Sequence, residues 1–167
     1  RLFTVGRLDK NSEGLILIPN VGDLANALAH PRYGVEKVYQ VEVAGRPEAE
    51  KLRGLRQGVR LAEAVVKATE VEVKRKRPHS TVLELTLREG RNREIRRMLA
   101  AIGHNVLRLK RVAIGPLRLG NLPKGAHREL TKQELDRLRQ ASTQRSSSRG
   151  PTARAARKPS AAAHKKA

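Results

Sequence analysis

The sequence predicts an α+β fold in which helices flank a mixed, largely antiparallel sheet. Several short segments alternate apolar and polar residues, which is the two-residue period of a half-buried strand. Other segments repeat apolar residues at helical spacing, and the predicted strands outnumber the predicted helices. Hairpin-like links between strands favour antiparallel pairing. The chain has 167 residues, 38% of them hydrophobic, which suits one domain with a single core.

The first predicted strand and helix lie near the N-terminus. Residues 15–18 form a continuous apolar run of the length of a buried strand. A helix then begins at Gly22, and its apolar residues Leu24 and Leu28 lie four positions apart. We therefore expect a buried strand followed by an amphipathic helix.

The next strand and helix are predicted between residues 38 and 58. Residues 38–44 alternate cleanly, with Tyr39 on the apolar face and Gln40 on the polar face. Pro47 is then expected to open a helix that ends at Gly58, because proline suits the first turn of a helix and glycine its end.

A pair of strands joined by a basic loop is predicted to follow. Residues 65–73 and 81–87 are expected to pair antiparallel, and residues 75–78 to form the loop between them. In the second strand the leucines are expected to face inward, whereas Glu84 and Thr86 face outward.

The most regular helix of the sequence comes next. Its apolar residues occupy positions i, i+3, i+4 and i+7, and they are Ile95, Met98, Leu99 and Ile102. Gly103 is expected to end this helix, and residues 106–114 to form a further strand.

The folded domain, residues 1–139, is predicted to end on a short helix, because residues 131–134 have the spacing of a capping box. Residues 140–167 contain seven Lys or Arg residues, no acidic residue and no apolar periodicity. Such a segment cannot offset its ordering entropy, so we expect a basic disordered tail. The tail is either a solubilising extension or a non-specific RNA-binding arm.

The net charge of +20, with a pI near 11.5, indicates an acidic partner, and nucleic acid is the first candidate. No apolar run approaches the roughly 18 residues that span a bilayer, so no membrane partner is expected. The absence of cysteine excludes a disulfide scaffold, a cysteine-based zinc site and a thiol nucleophile, and we expect a cytoplasmic protein. No metal site is expected, because close ligand spacing is lacking among His30, His79, His104, His127 and His164.

Two segments have residues suited to chemistry rather than architecture. The first, residues 5–17, places Asp9 between an apolar stretch and a polar loop, with glycines on both sides. Such a carboxylate can be held by the backbone while it faces an open cleft. An aspartate before Asn-Ser is, however, more often a turn residue or a helix cap.

The second segment, residues 89–98, carries four arginines around the start of a helix. For Arg91, Arg93 and Arg97 we expect either solvent exposure or contact with phosphates. Arg96 differs because it borders the apolar stripe of the helix. An arginine in that position tends to be partly buried and to need a carboxylate partner.

These segments and the motifs around them, in this order, resemble the RsuA-like family of ribosomal RNA pseudouridine synthases over about residues 2–139. The matching motifs are Gly6-Arg7-Leu8-Asp9 with Ser12-Glu13-Gly14-Leu15, His30-Pro31-Arg32 with Lys37-Val38-Tyr39, Glu89-Gly90-Arg91-Asn92-Arg93-Glu94-Ile95-Arg96-Arg97-Met98, Leu107-Arg108-Leu109-Lys110-Arg111-Val112, and Ile114-Gly115-Pro116-Leu117. One departure is Glu94, which stands where glutamine is common.

The resemblance implies the pseudouridine synthase catalytic fold and the isomerisation of a uridine in ribosomal RNA without a cofactor. It implies that Asp9 starts glycosidic cleavage, as a nucleophile or as a base, that Arg96 is its positive partner, and that Tyr39 packs against the uracil. The target nucleotide must be flipped out of folded RNA. The basic residues expected to grip the RNA are Arg7, Arg91, Arg93, Arg97, Arg108, Lys110 and Arg111.

The resemblance also bears on substrate and on domain content. Residues 89–98 look closer to the large-subunit relatives, so large-subunit ribosomal RNA is the expected partner of a monomeric enzyme. Family members usually carry an S4-type RNA-binding domain and a first piece of the catalytic sheet ahead of the Gly-Arg-Leu-Asp motif. Neither stands ahead of Gly6 here, and Arg1 is not a start methionine, so we expect an N-terminally truncated sequence.

The alternative is a non-catalytic ribosomal RNA-binding or ribosome-assembly protein with the same basic surface. Both functions predict salt-sensitive RNA binding. The two functions differ in what they predict for Asp9. A protein that only binds RNA gains nothing from a carboxylate that faces its RNA, so it should bind as well or better without it.

Overall fold

The computed structural model describes residues 2–143. Its elements, in chain order, are β1 (Glu13–Gly14), α1 (Gly22–Ala29), β2 (Lys37–Ala44), α2 (Ala49–Gln57), β3 (Val59–Arg60), β4 (Val65–Val66), β5 (Glu70–Lys76), β6 (Ser80–Leu87), α3 (Glu94–Ala101), β7 (Val106–Ile114), β8 (Leu117–Arg118) and α4 (Lys132–Thr143). No helix within residues 2–143 combines the length and the apolar character needed to cross a bilayer.

The main sheet has the strand order β1-β7-β2-β6-β5, and β8 adds to β7. Only the short pairing of β1 with β7 is parallel among these strands, and the others are antiparallel. Strands β3 and β4 form a separate two-stranded sheet. The predicted α+β class, with its mixed and largely antiparallel sheet and flanking helices, is therefore confirmed.

The apolar side chains of the described residues form two core clusters. The larger, which we call the sheet cluster, includes Val41 and Leu83 of the central strands together with Leu55 of α2 and Leu99 of α3. Each such leucine, fully withdrawn from water, stabilises the fold by roughly 1.5–3 kcal/mol. The smaller, which we call the terminal cluster, joins the N-terminal segment to α1, β8 and α4. The two clusters share no residue, and we call the boundary between them the seam.

The two faces of the central strands differ as the alternation predicted. Val41 on β2 and Leu109 on β7 belong to the sheet cluster. Their strand neighbours Gln40 and Lys110 point to the opposite face. We call this opposite side of the sheet the polar face.

The predicted strand over residues 15–18 is wrong. Leu15 and Leu17 are buried, whereas Ile16 and Ile18 are exposed, so this run is half-buried rather than enclosed. The extended backbone is held on one side by Val5, whose N–H donates to the Leu17 carbonyl at 2.9 Å. Only the short β1 just before it pairs regularly with the sheet.

The predicted pair of strands is right in part. Residues 65–73 divide, because β4 pairs with β3 and a new strand, β5, starts at Glu70 and pairs with β6. β5 also runs through Arg75 and Lys76, which were expected in the loop. Thr86 is 7% exposed rather than facing outward, because both sides of β6 are covered in this part of the sheet.

The last two predicted helices are present. α3 carries the predicted apolar stripe, and the capping box at α4 is formed by reciprocal hydrogen bonds between Thr131 and Glu134. A hydrogen bond from Arg128 lowers the pKa of Glu134 to about 2. α4 continues to Thr143, so the predicted boundary at residue 139 falls inside a helix. The remainder of the predicted tail, residues 144–167, lies outside the described residues.

Candidate active site

The seam between the two core clusters opens as a cleft of about 120 Å³. Its walls include Ala29 from the terminal cluster side and Leu87, Ile95 and Leu109 from the sheet cluster. Three polar segments converge on it, namely the loop around residues 6–12, the start of α3, and the covered face of β2 and β7. Residues from distant parts of the chain therefore share one concave site.

Asp9 lines this cleft at the turn that precedes β1. The Asp9 carbonyl accepts a hydrogen bond from the Ser12 N–H at 2.9 Å, so Asp9 is a turn residue as well as a cleft residue. Its carboxylate is 26% exposed, and one oxygen, Oδ2, lies 3.8 Å from Nη1 of Arg93 and 3.9 Å from Nε of Arg96. The carboxylate thus faces two guanidinium groups at ion-pair distance.

Arg96 braces the loop that carries Asp9. Its Nη2 donates to the Asn11 carbonyl at 2.6 Å and lies 3.5 Å from the Ser12 hydroxyl, while Nη1 donates to the Val106 carbonyl at 3.3 Å. The side chain is only 13% exposed. The structure therefore brings Arg96 and Asp9 together, in the partly buried setting predicted from the position of Arg96 beside the apolar stripe.

Arg93 holds an unusual backbone conformation at the start of α3. It is the one residue other than glycine with a positive φ, +48°, within residues 2–143. A left-handed conformation costs a residue with a side chain about 1–2 kcal/mol. That strain places a second guanidinium beside Asp9, which is a pattern typical of functional sites.

Tyr39 lies on the covered face of β2 and forms part of the cleft wall. It is half-buried and packs against the sheet cluster, so the pocket and core roles expected for it occur together. Across the ladder its register partner on β7 is Arg111.

Arg111 is not on the surface, contrary to its expected place in the basic RNA-binding face. It is 2% exposed and lies at the floor of the cleft. The reason is the alternation of β7, which turns Lys110 to the polar face and Arg111 to the covered face. Arg111 Nε donates to the Leu15 carbonyl at 2.7 Å, whereas Nη2 is buried with no hydrogen-bond partner among the described residues.

Lys37 is a cleft residue to which the sequence analysis gave no role of its own. It is 5% exposed, and its Nζ donates to the Val35 carbonyl at 3.3 Å. Burial, and then the charge of Arg111, lower the pKa of Lys37 to about 8. The sequence does indicate that Lys37 is buried, because it lies two residues before Tyr39 and so on the apolar face of the same strand.

The remaining six predicted RNA-binding residues lie in three places. Arg7 and Arg91 are exposed and line the cleft, as Arg93 does. Arg97 pairs instead with Glu63 at 2.6 Å. Arg108 and Lys110 lie on the polar face, beside a separate groove of about 370 Å³. The structure therefore does not bring all seven basic residues together at one surface.

Comparison with known proteins decides the family. The model of the family described as RNA pseudouridylate synthase matches residues 1–101, which include Asp9, Tyr39 and Arg96. The chain belongs to this pseudouridylate synthase family. The resemblance that the ordered motifs indicated is confirmed.

Curated relatives of this chain agree. It is 45% identical over 138 residues to an uncharacterized RNA pseudouridine synthase of Aquifex aeolicus, covering 83% of this chain and 55% of the relative. It is 44% identical over 142 residues to ribosomal large subunit pseudouridine synthase B of Bacillus subtilis, covering 83% and 58%. For ribosomal large subunit pseudouridine synthase E of Xanthomonas axonopodis pv. citri the identity is 41% over 136 residues, covering 72% of each.

A solved structure titled "Crystal structure of pseudouridylate synthase" superposes with a TM-score of 0.76 at 30% identity, covering 82% of this chain and 59% of that one. An H/ACA ribonucleoprotein structure shares the fold alone, with a TM-score of 0.54 at 16% identity, covering 71% and 40%. The chain spans a little over half the length of the first two curated relatives.

The buried carboxyl of Glu94 gives a stability prediction. It is buried at the start of α3, where it accepts a hydrogen bond from the Arg91 N–H at 2.8 Å, and burial raises the pKa of its carboxyl. Because the folded state holds this proton more tightly than the unfolded state, the ionised carboxylate lowers stability as the pH rises through the raised pKa. Glu94→Gln keeps an acceptor oxygen and removes the charge. We expect it to raise the urea midpoint at pH 8.

The same measurement at acidic pH is the control. Once Glu94 is protonated in both states, the advantage of glutamine should disappear, so the two urea midpoints should converge. A Glu94→Gln protein that is less stable than wild type at pH 8 would show that the buried negative charge is favourable, and would contradict the prediction.

Proposed function

We propose that the intact protein isomerises a uridine of ribosomal RNA to pseudouridine, with Asp9 as the carboxylate that starts the reaction. The observation that carries the proposal is the Asp9 carboxylate, which faces the guanidinium groups of Arg93 and Arg96 at the edge of a cleft between two cores. Two fixed guanidinium groups hold the carboxylate at the edge of the cleft, where it can meet a bound nucleotide.

The reaction breaks the bond from C1′ to N1, turns the uracil and rejoins it through C5. It involves no net redox change and no net hydrolysis, so the protein side chains suffice and no cofactor is required. Asp9 acts either as a nucleophile on the nucleotide or as a base. Tyr39 would pack against the uracil, since its ring forms part of the cleft wall.

The basic rim suits a substrate held in folded RNA. A uridine must be flipped out to reach Asp9, and the phosphates on either side of it then lie at the mouth of the cleft. Arg7, Arg91 and Arg93 are exposed there and would contact those phosphates.

Large-subunit ribosomal RNA is the substrate that we propose. Two of the relatives described above carry large-subunit synthase names, at 44% and 41% identity. The similarity of residues 89–98 to large-subunit relatives supports the same substrate.

The experiment maps pseudouridines chemically in both ribosomal RNAs from cells with and without the intact gene. We expect one large-subunit pseudouridine to disappear in the deletion strain and to return when the wild-type gene is restored. A loss confined to the small-subunit RNA would contradict the substrate. No change in either RNA would contradict the enzymatic function and favour the non-catalytic RNA-binding alternative.

A further inference from the structure

The cleft floor holds two buried cations that the proposed chemistry of Asp9 does not use. Lys37 is 5% exposed and Arg111 2%, and both line the cleft. The Lys37 ammonium is close enough to the Arg111 guanidinium for the repulsion between them to favour its neutral form. Within residues 2–143 neither cation has a carboxylate oxygen within 4.0 Å.

This arrangement is unfavourable for the free protein. Burial of a charge without a partner of opposite sign opposes folding, and the repulsion between Lys37 and Arg111 adds to the penalty. Nη2 of Arg111 is a further buried donor, and it has no acceptor among residues 2–143. Two apolar side chains would fill the same space more favourably, so the cations indicate a ligand with negatively polarised oxygens.

Asp9 is not that partner. Its carboxylate lies at ion-pair distance from Arg93 and Arg96, which approach it from α3. The cleft therefore contains two pairs of cations with different partners. One pair serves the carboxylate, and Lys37 and Arg111 remain for the bound nucleotide.

Depth and surroundings identify which part of the nucleotide reaches them. The cations at the mouth of the cleft are exposed, whereas those at the floor lie beside the apolar walls made by Leu87, Ile95 and Leu109. A phosphate would lose much of its hydration against such walls. A flat base with two carbonyl oxygens can instead pack its ring on the apolar walls and direct its oxygens to the floor.

We propose that Lys37 and Arg111 bind the carbonyl oxygens of the flipped uracil and stabilise the negative charge that the ring acquires when its bond to the sugar breaks. This inference rests on the proposed function. In the step concerned the C1′–N1 bond breaks and both electrons leave with N1, so the uracil becomes an anion. Its charge spreads to the carbonyl oxygens, while the sugar carbon is bonded to, or stabilised by, the Asp9 carboxylate.

The anion is consumed in the same active site. The ring turns, and the C1′–C5 bond forms as C1′ is released from the Asp9 carboxylate. The proton on C5 then passes to a base or to water while N1 takes up a proton, which leaves the ring neutral. Donors placed where charge develops accelerate a reaction more than donors that bind the ground state equally well. Lys37 and Arg111 are fixed by burial before substrate arrives, which is the arrangement that this kind of stabilisation requires.

Lys37→Met in the intact protein tests the inference. Methionine keeps the aliphatic stem and removes the charge. We expect kcat for pseudouridine formation to fall roughly 100-fold, as for the loss of one donor to a developing oxyanion. The Kd for RNA should change by less than about threefold, because the phosphate contacts at the mouth are untouched. The Tm should rise, because an unfavourable buried charge is gone.

The matched control is Lys51→Met, which removes the same charge from an exposed position on α2. It should leave kcat, Kd and Tm close to those of wild type. The Tm rise is the readout that separates the two explanations of a low kcat, because a lysine needed only for the fold would lower the Tm when removed. Lys37→Arg should recover part of the lost rate.

Each other outcome counts against the inference. An unchanged kcat in Lys37→Met would overturn it while leaving the proposed function intact. A defect mainly in Kd, with a salt dependence reduced by about one charge, would show a phosphate contact instead. A lowered Tm with lost activity would show a structural role. An inactive wild-type protein would remove the proposed function itself, and this inference with it.

Discussion

Asp9→Asn in the intact protein is expected to abolish pseudouridine formation, with a loss of at least roughly 10⁴-fold. The amide keeps the size and shape of the carboxylate but can act neither as a nucleophile nor as a base. RNA binding should survive, since removing a negative charge beside Arg93 and Arg96 does not weaken the attraction of the cleft for phosphates. The measurement is tritium release from RNA labelled at C5 of uridine, with filter binding on the same RNA.

The matched control is Asp23→Asn, the same substitution at an exposed aspartate in the first turn of α1. It should keep wild-type tritium release. If Asp9→Asn also releases tritium at the wild-type rate, the carboxylate serves only as a structural partner of Arg93 and Arg96, and the non-catalytic RNA-binding function becomes the better explanation.

Arg96→Ala is expected to have the second largest effect, and it should affect both activity and stability. The substitution removes the hydrogen bonds to Asn11 and Val106 that join the Asp9 loop to α3 and β7, together with the ion pair to Asp9. Because the side chain is only 13% exposed, we expect the free energy of unfolding to fall by about 2–4 kcal/mol. The rate of pseudouridine formation should fall roughly 10³-fold, because the carboxylate is no longer positioned.

Urea unfolding and single-turnover kinetics of the same samples check this prediction. Arg53→Ala, at an exposed position on α2, is the control for loss of one arginine. Arg96→Lys should be intermediate, since lysine keeps the charge but not the planar set of donors that reaches several acceptors at once. An Arg96→Ala protein with wild-type activity would show that Arg93 alone holds the carboxylate.

Much of the local structure could be predicted from short stretches of sequence. The stripe that ends at Leu99 and Ile102 predicts α3, and the alternation around Val41 predicts β2, because helix and strand periods are properties of neighbouring residues. The Thr131–Glu134 capping box depends on a spacing of three residues. The family likewise follows from ordered motifs, and so does the prediction that Asp9 starts the reaction. These features need no knowledge of distant contacts.

Only the tertiary structure decides which side chains are buried and which face solvent. Lys110 and Arg111 are adjacent basic residues on one strand, yet one faces the polar side of the sheet and the other the floor of the cleft. Residues 15–18 look like an enclosed strand, but only one of their sides is covered by other parts of the chain. Thr86 was expected to face outward but is buried, because other parts of the chain cover both sides of its strand.

The physical reason is that burial is a property of pairs of elements rather than of one element. Alternation along β2 places Lys37 and Tyr39 on the same side, but the elements that cover this side, among them the loop of Asp9 and α3, come from remote parts of the sequence. By itself the sequence determined the family and the fold class, and it predicted that Asp9 and Arg96 lie together. The burial of two cations, Lys37 and Arg111, at the floor of the cleft depends on those remote elements, because they cover this side of the strand.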